Sequence, residues 1–130
     1  MINISKKTEY GLAFVLFLSK NREELLSLKW VAGRLGLPYR FLSKIATDLR
    51  EAGIVESKEG KKGGYKLRDG WGKRSVYDLL VALGENKRMV RCLSGDGECI
   101  REKGCKIKRV WQKMEVALTD ELKKVKLAEV

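Results

Sequence analysis

Cys92, Cys99 and Cys105 are the residues of this chain best suited to inorganic chemistry, and they fall within one stretch of fourteen positions. Three thiols cannot all pair within one chain, so a ligand role is the better question. The spacing Cys92-x6-Cys99-x5-Cys105 lacks the paired Cys-x2-Cys of a zinc ribbon, and the chain has no histidine to complete a mixed site. That weakens zinc. Three thiolates on a loop loosened by Gly95, Gly97 and Gly104 can wrap an object wider than a single ion, and glycine N–H groups can approach sulfur closely. An iron–sulfur cluster fits that description, [2Fe-2S] and [4Fe-4S] alike. Arg88, Arg91, Arg101, Lys103 and Lys106 would favour the thiolate forms and balance an anionic cluster. The plain alternative is three unligated cysteines in a loop.

A second set of residues suits the chemistry of a nucleic acid. Arg40, Ser43, Lys44 and Thr47 recur at i, i+3, i+4, i+7, so on a helix they share one face. Arg40 and Lys44 can donate to guanine O6 and N7, while Ser43 and Thr47 can bond base edges or phosphates. Tyr39 stands where it could reach a backbone phosphate. Lys58, Lys61 and Lys62 lie among glycines that let a backbone approach a groove closely, which suits minor-groove or phosphate contact.

The elements that must position these groups are legible from periodicity and caps. Ser5 predicts the N-cap of a first helix reaching about Lys20, with Tyr10, Ala13, Phe14 and Phe17 as its core stripe. Ser27 predicts the cap of a second, through Leu28, Val31, Ala32 and Leu35 to Gly36. Pro38 suits the first position of a third helix that runs to about Ala52, with Phe41, Leu42, Ile45, Ala46 and Leu49 facing inward and Gly53 ending it. Ile54-Val55 and Tyr65-Lys66-Leu67 read as strands of a hairpin whose basic tip spans residues 58–64. Ser75 and Asp78 form a capping box for a fourth helix ending at Gly84. Residues 85–106 carry no sustained periodicity. From about Ile107 to Ala128, apolar Ile107, Trp111, Met114, Leu118, Leu122 and Val125 alternate steps of four and three, a seam that needs a partner helix.

This order predicts a mainly α chain with a small β-hairpin wing: a winged helix-turn-helix followed by a long dimerisation helix. The expected division is residues 1–84 for DNA binding, 85–106 for the cysteine segment and 107–130 for dimerisation. With 130 residues, 44% of them hydrophobic, the chain can bury one modest core. The formal charge of +11 implies a polyanionic partner, with double-stranded DNA first. Residues 34–74 carry eleven basic and five acidic groups, so the excess sits over the expected reading unit. The absence of histidine removes His-based acid–base and triad catalysis, no phosphate-cradling loop is visible, and the chain is not expected to be an enzyme. The apolar run Gly11–Leu18 is too short to span a bilayer and lacks a cleavage pattern downstream, so it reads as a buried helix of a cytoplasmic protein with no membrane partner.

Taken together, Leu37-Pro38-Tyr39-Arg40-Phe41-Leu42-Ser43-Lys44-Ile45, Leu49-Arg50-Glu51-Ala52-Gly53-Ile54-Val55, Gly63-Gly64-Tyr65-Lys66-Leu67, Ser75-Val76-Tyr77-Asp78 and the cysteine triad resemble the IscR/NsrR family of bacterial iron–sulfur-dependent transcription regulators. The resemblance covers nearly the whole chain. It implies a homodimer with crossing long helices and a cluster held in each subunit by Cys92, Cys99 and Cys105. In the branch with a histidine ligand, that residue follows the last cysteine by three positions; here Lys108 stands there, and an ammonium cannot ligate. Other members recruit a carboxylate from the partner's first helix, and the matching residue is Glu9. Many relatives also carry an arginine just before the wing glycines, where this chain has Glu59. The function implied is a dimeric regulator, a repressor in the first reading, that senses cluster status, redox state or nitric oxide through head spacing. The alternatives are a cluster-free winged-helix regulator answering to a metabolite or partner enzyme, and a basic iron–sulfur electron-transfer protein.

Overall fold

The computed structural model describes residues 4–95, 99–101 and 103–130. Helix α1 spans Lys6–Lys20, and Ser5 caps it by accepting the Thr8 N–H. Its buried face is Thr8, Gly11, Phe14, Val15 and Leu18, one position round from the expected stripe, so Tyr10 and Phe17 lie half-buried at its margins. Gly11 explains the rotation: a Cβ there would sit 2.7 Å from Leu83 Cδ1, so the bare backbone admits the fourth helix closely.

Helix α2 (Leu28–Leu35) begins at Ser27, whose hydroxyl accepts the Trp30 N–H. It stops at Gly36, left-handed at φ 66°, while Leu37 N–H bonds Ala32 O at 2.9 Å. These bonds satisfy the orphan carbonyls of the last turn. Helix α3 (Tyr39–Glu51) follows directly. Pro38 is its N-cap rather than its first helical residue, and the Pro38 carbonyl receives the Phe41 and Leu42 N–H groups. Leu42, Ile45, Ala46 and Leu49 are buried, whereas Phe41 sits at the edge against Tyr10, rings perpendicular and 5.5 Å apart.

Strands β1 (Val55–Lys58) and β2 (Gly64–Leu67) pair antiparallel, Val55 opposite Leu67 and Lys58 opposite Gly64. The strands are longer than expected, and Lys58 belongs to the ladder, not to the tip. Leu26 adds an isolated antiparallel bridge to β2, exchanging hydrogen bonds of 3.0 and 2.8 Å with Tyr65 and fastening the wing to the segment before α2.

After a 3-10 turn at Trp71–Lys73, helix α4 (Val76–Ala82) opens on the full Ser75/Asp78 capping box. A short helix α5 (Arg91–Ser94) lies in the segment expected to be irregular. Helix α6 (Lys106–Lys124) is shorter than its periodicity suggests. The chain turns extended at Val125, bonds Arg74 and Val76 through Leu127 N–H and Val125 O, and drives Leu127 into the core at 1% exposure. Tertiary packing of one leucine thus overrides the helical pattern. The core joins Phe14, Leu18, Val31, Leu42, Ile45, Leu49, Ile54, Leu79 and Leu83. Helix α6 itself buries none of its 19 residues.

Candidate nucleic-acid interface

The amphipathic α3 docks its apolar face on α1, α2 and α4 and leaves Tyr39, Arg40, Ser43, Lys44 and Thr47 on the side away from the core. Tyr39 is 48% exposed at the helix entrance. Arg40 and Lys44 are exposed, and Ser43 and Thr47 are half-buried between them. Thr47 donates its hydroxyl proton to Ser43 O at 2.9 Å, which leaves its lone pairs as what it offers a base or water.

Lys44 is partly engaged. Its Nζ lies 3.1 Å from Asp48 Oδ1, and the other carboxylate oxygen of Asp48 lies 3.1 Å from Lys7 Nζ on α1. Burial pushes the Asp48 carboxyl up, but the hydrogen bonds and charges of Lys44 and Lys7 outweigh it and hold the group below the usual carboxylate range. Lys7 also donates to Leu83 O, the C-cap of α4, at 2.8 Å. Sequence reasoning missed Asp48 and Lys7. The Lys44/Asp48 spacing of four was a visible signal, but nothing in one strand of text connects either residue to Lys7.

In the wing, Lys58, Lys61 and Lys62 are exposed. Two of the glycines serve the wing's own closure. A Cβ on Gly63 would clash with Lys58 O, and one on Gly64 would lie 2.5 Å from Leu26 O. Their bare backbone lets the wing close on itself and seat against Leu26. Arg50 reaches across from α3 to the wing, its Nη1 3.3 Å from Ser57 Oγ.

The cysteine segment lies between α4 and α6. Cys92 sits half-buried in α5, Cys99 is exposed, and all three thiols are free. Cys105 is the N-cap of α6, its Sγ accepting the Lys108 N–H at 3.4 Å. By kind, three soft thiol donors among basic residues fit an iron–sulfur group. Within one chain they stand apart: among the described residues no set of three cysteine, aspartate or glutamate side chains is close enough to hold a metal ion. Gly97, expected to loosen this loop, lies outside the described residues. Glu9 is exposed on α1 and paired with Lys6 at 3.0 Å. Just before α5, Glu115 of α6 accepts the Met89 N–H at 2.8 Å and Arg88 Nε at 2.9 Å, tying this segment to the long helix.

A family model described as an iron-dependent transcriptional regulator, Rrf2, matches residues 4–130. The chain belongs to the Rrf2 family. An rrf2-like HTH-type transcriptional regulator of Rhodobacter capsulatus, itself described as putative, is 32% identical over 83% of this chain and 78% of its own. Among solved Rrf2 relatives, CymR, described as the global cysteine regulator of B. subtilis, superposes with a TM-score of 0.79 at 27% identity, over 99% of this chain and 95% of that one. IscR of T. potens gives 0.75 at 27% identity, over 98% of this chain and 85% of its own. This Rrf2 protein is therefore a winged-helix, DNA-binding transcription regulator and not an enzyme, with DNA as its partner. No helix among the described residues is long and apolar enough to cross a membrane.

Proposed function

We propose that this regulator binds its operator as a homodimer, with Tyr39, Arg40, Ser43, Lys44 and Thr47 of α3 in the major groove and Lys58, Lys61 and Lys62 of the wing on the flanking backbone. It senses an iron–sulfur cluster held by Cys92, Cys99 and Cys105, with Glu9 of the partner subunit as the fourth ligand. One observation carries the reading: all three thiols lie on the segment that joins the reading unit, residues 1–84, to the exposed α6. Likeness to IscR supports it.

A bound cluster would supply a centre that oxidants or nitric oxide can alter. The chain's own part is mechanical. Gathering three separated sulfurs requires Cys92 of α5, Cys99 and Cys105 to move together, and Arg88 and Met89 link the start of that segment to Glu115 of α6. Its order therefore bears on how α6, and the partner's reading head beyond it, is held. Half-sites lie about one helical turn apart, so small changes in head spacing alter affinity. Glu9 is held by a solvent-screened pair with Lys6, a contact easily exchanged for another.

A second reading, a cluster-free regulator answering to a metabolite or a partner protein, draws on the separation of the thiols and on the likeness to CymR. Anaerobic purification with iron and sulfide analysis, visible spectra and DNA titration at fixed salt separates the two. Sensing predicts coloured protein whose operator affinity changes by about five- to 150-fold on cluster loss. It also predicts that Cys99→Ser abolishes the colour and Glu9→Ala makes it labile. Colourless protein with unchanged affinity after reconstitution supports the second reading.

A further inference from the structure

Lys7, Asp48 and Lys44 form a continuous chain of charge from the interior to the reading face. Lys7 is anchored twice, 2.8 Å from Leu83 O and 3.1 Å from Asp48 Oδ2, and its side chain is 23% exposed. Asp48, at 12%, cannot swing away while both of its oxygens are engaged. Lys44 at the outer end is 67% exposed, yet one of its three ammonium donors is held 3.1 Å from Asp48 Oδ1.

A free lysine on a groove-facing helix is a flexible point charge that finds phosphate and bases with little discrimination. A lysine whose ammonium is fixed by one hydrogen bond presents its two remaining N–H groups in a restricted cone, so a base edge in the right place is favoured over one that is not. Asp48 also offsets part of the positive charge on this face, which weakens indiscriminate attraction to phosphate. We infer that Asp48 is a specificity-positioning residue: braced from behind by Lys7 on the α4 C-terminus, it orients Lys44 toward the operator. The inference rests on the reading that Lys44 contacts operator bases.

The test uses full-length protein and a duplex selected by the wild type from a randomised library, with a scrambled duplex of equal length as reference, at one salt concentration. Discrimination is the ratio of the two affinities. Lys44→Ala and Asp48→Asn should each lower that ratio by roughly tenfold, the size of one lost base contact. Together they should do no more than either alone. Asp48→Asn should hold the scrambled duplex at least as tightly as wild type, an effect that loss of structure would not produce. Lys7→Met, which keeps the apolar stem, should lower the ratio less and in the same sense, and it carries the test if Asp48→Asn melts early. An unchanged ratio in Asp48→Asn beside a reduced one in Lys44→Ala overturns the positioning role and leaves the reading of Lys44 intact. Additive losses, or equal weakening on both duplexes, overturn it too. An unchanged ratio in Lys44→Ala removes the base contact itself.

Discussion

Gly64 and Gly33 show how differently two glycines of one chain are used. Gly64 has φ +151°, and a Cβ added there would lie 2.5 Å from the Leu26 carbonyl oxygen, against which the wing is bonded. Gly64→Ala must therefore push β2 off residue 26 and adopt a backbone that side chains avoid, a strain of about 1–3 kcal/mol. We expect a lower melting temperature and weaker operator binding, because the wing would no longer be held in register with α3. Gly33, inside α2, meets nothing within 4 Å. Gly33→Ala should raise stability by about 0.5–1 kcal/mol, since the helix gains a better former and the unfolded chain loses freedom. Thermal or urea denaturation of the two variants reads opposite signs. The sequence shows both glycines with equal plainness. It shows neither the Leu26 carbonyl nor the open side of α2, because those are facts about residues distant in the chain.

At the scale of elements, boundaries were legible where a short local signal marks them: the ends of α1 to α4 fall within two residues of where Lys20, Gly36, Gly53 and Gly84 put them. Ser5, Ser27 and Ser75 each cap a helix through a hydrogen bond to an N–H three residues on, a signal contained within four positions of text. The end of α6 and the existence of α5 were not legible. The first depends on Leu127 finding the core, and the second is a four-residue helix that leaves no periodic trace. The functional elements divide in the same way. The polar face of α3 follows from spacing alone, while the Lys7–Asp48 pair joins residues that only folding brings together. The capping box of α4 carries a pH consequence. Backbone and hydroxyl hydrogen bonds from Ser75, with the charges of Arg74 and Lys126, hold the Asp78 carboxyl below its usual range against the opposing effect of burial. A depressed folded pKa contributes stability above the unfolded value near pH 4, and that contribution disappears as pH falls through the folded value. Asp78→Asn should therefore be less stable than wild type at neutral pH and converge on it in acid. Melting curves from pH 7 down to pH 3 that stay parallel would show that the carboxylate charge adds nothing to the cap.

At the scale of the molecule, α6 is the part on which the proposed homodimer depends. Its 19 residues form a rod about 28 Å long at 1.5 Å per residue. Ile107, Val110, Met114 and Leu118 lie along it well exposed, and no residue of the helix is buried. In the proposed homodimer a second copy would supply an apolar surface with the same repeat, and two crossing rods would carry the reading heads outward on the scale of the ~34 Å between half-sites. Met114→Asp places a charge in the middle of that stripe while leaving the core of the reading unit untouched. The variant should sediment as a monomer at concentrations where the wild type is a dimer, with nearly the same melting temperature for the winged-helix unit. Its operator affinity should fall by about 10²–10⁴-fold, the advantage of binding the second half-site from a tethered position, and the salt dependence should drop as phosphate contacts are halved. A dimer that survives Met114→Asp would place the contact elsewhere on the chain. A monomer that binds the operator undiminished would show that the second reading head contributes nothing to recognition.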